Sequence, residues 1–181
     1  MRFGYLSKFC YLIIISILCH ANSVWSCDCM YRYTHEFYQQ AEAVFSGTVV
    51  QKEDHQGAVG VTFQVTQTFK GEHQEQFTLT TLPYLCGTIF DEGKEYIVFA
   101  IKVNDEFETG FCQGTQAITP EFIKQLTEAK AALDSDGMYR EYYPDGKIQR
   151  EITLKGGELA GPVKEFDTNG QLMPEPKIEK F

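Results

Sequence analysis

The chain has little positive charge, no long uninterrupted apolar span and none of the common catalytic signatures. Its 181 residues carry 16 Lys or Arg against 25 Asp or Glu, a formal net charge of -9. The cations are not clustered, so phosphates would go unneutralised, and this argues against a binder of nucleic acid or of an anionic membrane. No Gly-rich phosphate loop and no Ser nucleophile elbow is present. His35-Glu36-Phe37-Tyr38-Gln39 begins like the zinc-protease H-E-x-x-H but ends in Gln39. Without a second imidazole it cannot chelate in that manner, and it reads as a solvated helix face. The carboxylates are scattered along loops and exposed strand faces, as on a solvated surface. An enzyme is not expected, and neither is a cofactor or a metal of the chain's own.

What the chain does have is the composition of a folded domain, 43% hydrophobic and 14% aromatic. The first 26 residues hold Arg2, Lys8 and no acid, with an apolar run from Phe9 to Cys19. That run is too short to span a bilayer comfortably and reads as the core of a secretory signal, residues 1–26, with no membrane span. Removing it leaves 155 residues with 14 basic and 25 acidic side chains, a net charge of -11. Two cleavage points offer a small residue, after Ala21 or after Ser26, and Ser26 with Val24 fits the small-residue rule better. Lipidation of Cys27 is disfavoured by bulky Trp25 and by an apolar core that ends eight residues upstream. The expected location is secreted or periplasmic.

Cys27, Cys29, Cys86 and Cys112 remain after cleavage. An even number in an exported chain reads as two disulfides with three connectivities. Bonding Cys27 to Cys29 across one residue would strain so small a ring, so each is expected to pair separately with Cys86 or Cys112. A thiolate zinc site is disfavoured, because the only close pair is C-x-C and its partners are distant.

Alternation then predicts strands. Val59, Val61, Phe63 and Val65 point one way while Thr62, Gln64 and Thr66 point the other, and Phe77, Leu79 and Thr81 repeat the pattern. Ala43 to Val50 is β-branched and aromatic, Tyr96 to Ile101 is a continuous run suited to a central strand, and a last strand is expected from Glu106 to Cys112. Five strands separated by turns suggest a small closed barrel. A helix follows from Thr119 to about Leu133, with Thr119 as N-cap, Pro120 at the first helical position and an apolar face that packs on the barrel.

These elements together resemble a known family. The N-terminal Cys-x-Cys behind a signal, the short helical stretch Phe37 to Ala41, the strand from Ala43 to Val49, the strand from Phe63 ending in Phe69-Lys70-Gly71, Cys86-Gly87, the strand from Gly93 to Ala100 and Phe111-Cys112-Gln113-Gly114-Thr115 look like the netrin-like module. More narrowly they are similar to the inhibitory domain of the tissue inhibitors of metalloproteinases, over about Cys27 to Leu133. The resemblance implies a mainly β chain with a five-stranded OB-type barrel and flanking helices, Cys27 paired with Cys86 and Cys29 with Cys112. It also implies that the free α-amino nitrogen and carbonyl oxygen of Cys27 chelate the catalytic zinc of a target protease, and that Asp28 enters the protease's specificity pocket. The chain departs from that pattern at Asp28, where the inhibitors usually carry a small or uncharged side chain. It also lacks the cysteines of their third disulfide and their cysteine-rich second domain.

The C-terminal third has its own pattern. Gly137 to Ile148 is echoed by Gly161 to Leu172 at a period of 24 residues. Asp145-Gly146 and Asn169-Gly170 read as two-residue hairpin turns. The two units, over about 137–173, resemble a pair of MORN-type repeats, too few to stack alone and therefore expected to dock on the barrel or on a partner. Residues 174–181 read as a frayed tail. Two functions follow: inhibition of a zinc metalloprotease through Cys27, or non-inhibitory binding of another envelope or extracellular protein through the barrel and the repeats.

Overall fold

The computed structural model describes residue 29 and residues 32–55, 57–83 and 86–174. After a short helix α1 (Thr34–Gln40), two 13-residue strands, β1 (Ala43–His55) and β2 (Ala58–Lys70), form a long hairpin. There follow β3 (Gln76–Thr81), β4 (Glu95–Val103), β5 (Glu106–Thr109) and the two-residue β6 (Gln116–Ala117). β1 pairs with both β2 and β4, β2 with β3, β3 with β5 and β5 with β4, so five strands close into a barrel. All these pairings are antiparallel except β3 with β5. Bulges in β1, the last between Val49 and Gln51, give that strand the bending that closure requires.

Burial explains the sequence pattern strand by strand. β2 and β3 alternate because only their inner residues, Val61, Phe63, Phe77 and Leu79, enter the barrel. The first half of β1, residues 43–49, and β4 are rich in apolar residues on both faces because they are covered on both sides. Phe45, Val49, Tyr96 and Val98 fill the barrel, while Val44, Ile97 and Phe99 meet the helices outside it. Phe45, Phe63, Phe90 and Tyr96 form a chain of rings with successive centroids 5.5, 5.2 and 4.8 Å apart. Each such side chain contributes about 1.5 to 3 kcal/mol by burial. β5 does not reach Cys112 as expected: it ends at Thr109, and residues Phe111–Gln113 form a 3-10 turn instead.

Helix α2 (Pro120–Ser135) begins where Thr119 Oγ1 accepts a hydrogen bond from Phe122 N at 3.1 Å. It covers more than the barrel. Leu126 and Phe122 join the cluster outside β1 and β4, and Ala129 and Ala132 form a separate cluster with Tyr139, Ile152 and Leu154. That second cluster belongs to a C-terminal antiparallel sheet of β7 (Gly137–Tyr142), β8 (Ile148–Lys155), β9 (Glu158–Leu159) and β10 (Lys164–Glu165), in which β8 pairs with each of the other three. The sheet therefore docks on α2. Backbone N–H groups of Arg140 and Tyr142 in β7 donate to Glu128 and Gln125 of that helix, which covers the strand's edge.

Both repeat units make the same turn. Tyr143 N donates to Lys147 O and Gly146 N to Tyr143 O, and Asp167 N donates to Gln171 O and Gly170 N to Asp167 O, all at 2.9 Å. The loops have three residues, not two. In Pro144-Asp145-Gly146 only Gly146 takes a positive φ, 82°, because Pro144 fixes the preceding turn in the ordinary right-handed region.

Candidate functional site

One end of the barrel gathers Cys29, Cys86 and Cys112. Cys29 is bonded to Cys112, with Cα atoms 5.3 Å apart. Cys112 lies in the 3-10 turn, which closes at Gly114 with φ 88°; a Cβ there would stand 2.8 Å from the ring of Phe37 in α1. Only glycine lets the turn reverse and the helix seat against it. Phe111 N donates to Cys86 O at 3.1 Å, which brings the backbone at Cys86 alongside the turn that holds Cys112. Cys86 is disulfide-bonded as well. Cys27 and Asp28 lie outside the described residues, and with them the Cys27–Cys86 pairing that the resemblance implies.

Buried threonines support this end. Thr109 Oγ1 donates to Phe99 O at 2.7 Å, and Phe99 N donates to Thr115 Oγ1 at 2.9 Å. The two hydroxyls serve the β4 backbone where β5 has left it and β6 has yet to join. Beside the bridge, Phe111 is 64% exposed. A cleft of about 410 Å³ opens between the barrel and the C-terminal sheet, lined by Cys29, Arg32, Phe37, Phe111, Phe122 and Arg150 among others. A larger groove of about 680 Å³ on the outer face of β1 to β3, lined by Glu53, Thr62, Thr78 and Asp105, shares no residue with it.

The N-terminal segment is fixed a second time, five residues beyond Cys29. Thr34 donates from N and from Oγ1 to Glu141 Oε1, at 2.8 and 2.9 Å, and its hydroxyl accepts from Gln125 Nε2. Arg150 Nη1 donates to Glu141 Oε2 at 3.0 Å, and its Nε to Glu165 Oε1 at 2.9 Å. Thr34, Gln125 and Glu141 are all buried. The network joins α1, α2, β7, β8 and β10.

His35 corrects the expectation of a solvated helix face. It is 3% exposed, and its Nδ1 is 2.9 Å from the Tyr139 hydroxyl of β7. The C-terminal sheet covers this face of α1, which the sequence of the helix alone does not reveal. Burial lowers the basicity of His35 despite the nearby carboxylates of Glu36, Glu141 and Glu158. Burial likewise raises the Tyr139 hydroxyl far above the ordinary tyrosine range. The far end of α1 is held by Lys70, whose ammonium donates to the carbonyls of Tyr38 and Gln39 at 2.8 and 3.0 Å.

Sequence reading named Cys29, Cys86 and Cys112, placed His35 on a solvated face, and passed over Thr34, Glu141 and Arg150. The only signal for these was Glu141 sharing the inward face of a strand with Tyr139. Among the described residues no group of three His, Cys, Asp or Glu side chains is placed to hold a metal ion. Among them also, no helix is long and apolar enough to cross a membrane.

Residues 135–155, which span β7, its turn and β8, match the family model of a MORN repeat variant. No curated protein matches the chain.

Proposed function

We propose that the chain is an exported, non-catalytic netrin-like module that binds a partner at the end of the barrel where its N-terminal segment is tethered. The partner proposed is a zinc metalloprotease. Supporting the netrin-like reading is the closed strand order β1-β2-β3-β5-β4 with its single parallel pair, the arrangement expected of an OB-type barrel. The observation that carries the functional reading is the Cys29–Cys112 bridge, which fixes the chain two positions after Cys27 to the 3-10 turn. A segment held in this way loses little freedom on binding. An α-amino group with a pKa of about 7.7 to 8.0 is partly neutral near pH 7, and zinc drives off the remaining proton. In this reading Cys27 supplies the amine and the carbonyl oxygen to the protease's zinc, and Asp28 contacts the protease.

The test compares two forms of the mature chain, one starting at Cys27 and one retaining Ser26, against a panel of zinc metalloproteases cleaving a fluorogenic peptide. Inhibition by the first and its loss in the second is the expected result. Equal inhibition by both would sink chelation.

A second reading, a non-inhibitory binding module of the envelope or extracellular space, is favoured by Asp28. Its carboxylate would have to be desolvated in an apolar pocket, at a cost of several kcal/mol unless paired. Binding would then survive retention of Ser26 and fail on charge reversal at Lys164, which ladders with Glu151 and Arg140 across the C-terminal sheet. Deleting residues 137–181 is a poorer test, because it uncovers Ala129 and Ala132.

A further inference from the structure

His35 sits where three things meet: the helix that follows the tethered segment, the C-terminal sheet, and the buried ion pair. Its ring lies 5.9 Å from that of Tyr33, stacked, and meets the Tyr139 ring edge-on at 5.8 Å. Its backbone N–H donates to the Tyr139 hydroxyl oxygen at 3.4 Å, and Nδ1 lies 2.9 Å from the same oxygen. In the Nε2–H tautomer of the neutral ring, Nδ1 accepts the hydroxyl proton and Tyr139 bridges α1 to β7. A protonated ring carries hydrogen on both nitrogens, so Nδ1 must donate to the Tyr139 oxygen that already receives the His35 backbone N–H, and the hydroxyl proton must turn to Glu141 Oε1, 3.5 Å away and already accepting twice from Thr34.

We propose that His35 is a pH-sensitive latch: its neutral form holds the C-terminal sheet onto α1, and its protonation in acid releases the sheet from the segment behind Cys29.

The ionisable groups around it set the direction. α1 contributes Glu36, whose carboxylate is engaged by Tyr33 N at 2.7 Å. β7 contributes Glu141, already paired with Arg150 of β8, and β9 contributes Glu158. The Gln125 amide of α2, which does not titrate, reaches this cluster through Thr34. The carboxylates favour the imidazolium, but burial outweighs them and the folded basicity is lowered. The undocked state, with an ordinary histidine near pKa 6.5, therefore takes the proton more readily. Docking through His35 is fully present above about pH 6.5 and weakens as the pH falls toward the folded value.

The test is hydrogen exchange of the disulfide-intact mature chain between pH 7.5 and 5.0, corrected for the intrinsic chemical rate and read peptide by peptide by mass spectrometry. Peptides from β7 and β8 should lose protection by up to about tenfold per pH unit over part of this range, the limit for one linked proton. Peptides from β1 and β4 should not. In His35→Gln, which cannot take up the proton, protection of β7 and β8 should be independent of pH. Equal pH dependence in the wild type and the variant would overturn the latch. If His35→Gln does not fold, an NMR titration of His35 in the wild type decides. Titration below the ordinary value, with β7 amides shifting on the same curve, supports the latch; an ordinary value or uncoupled amides overturns it.

Discussion

Glu141 and Glu165 occupy equivalent positions in the 24-residue repeat and accept hydrogen bonds from the same guanidinium, that of Arg150. One side chain thus joins the two units, and through Glu141 and Thr34 it ties both to the segment behind Cys29. The repeat is a structural clasp at this end of the molecule as well as a cover for α2.

Replacing Arg150 with Ala leaves the Glu141 carboxylate, 6% exposed, without its cation. Removing one partner of a buried ion pair costs about 3 to 5 kcal/mol, and that loss should appear in the urea midpoint. Arg150→Lys, which cannot present two donors in a fixed fork, should recover only part of it.

Gly114→Ala forces a side chain onto a backbone at φ 88° and brings its Cβ within 2.8 Å of the Phe37 ring. A loss of about 1 to 3 kcal/mol is expected, with faster reduction of the Cys29–Cys112 bridge by thiol, measured by alkylation and mass. An unchanged reduction rate would show that the turn does not govern the bridge.

How much of this was legible in the sequence depended on whether a single stretch of chain carried the reason. The alternation of Val59, Val61, Phe63 and Val65 and the capping of α2 by Thr119 were readable, because each reports its own burial or its own helix end. The early end of β5 was not, because Gly110 and the turn at Cys112 answer to Cys86 and Phe37, far away in the chain. His35 was misread for the same reason: the face of a seven-residue helix is decided by a sheet 104 positions later. Asp-Gly and Asn-Gly predict two-residue hairpin loops, whereas the structure needs positive φ only at the glycine.

Stability should also fall in acid through Glu151, whose carboxyl is held below its usual range chiefly by hydrogen bonding from Arg140. A lowered folded value means that the unfolded chain binds the proton first as pH falls. The contribution is therefore complete above about pH 4.3 and lost as pH drops through the folded value. Glu151→Gln should flatten the decline of the melting temperature between pH 5 and 2.5.

Severing the Cys29–Cys112 bridge by the double substitution Cys29→Ser and Cys112→Ser opens a link across 83 positions. The chain-entropy model puts the loss at about 4.5 kcal/mol. The melting temperature checks this, and in the metalloprotease assay any inhibition should weaken together with it.

The most direct test of the N-terminal reading is the intact, non-reduced mass of the protein recovered after expression of the full sequence, with peptide mapping of its first residues. A chain that begins at Cys27 with a free amine, and a cross-linked peptide joining Cys27 to Cys86, is the expected result. A start at Asn22, or a lipid on Cys27, would contradict it, because the amine proposed to chelate zinc would then be absent.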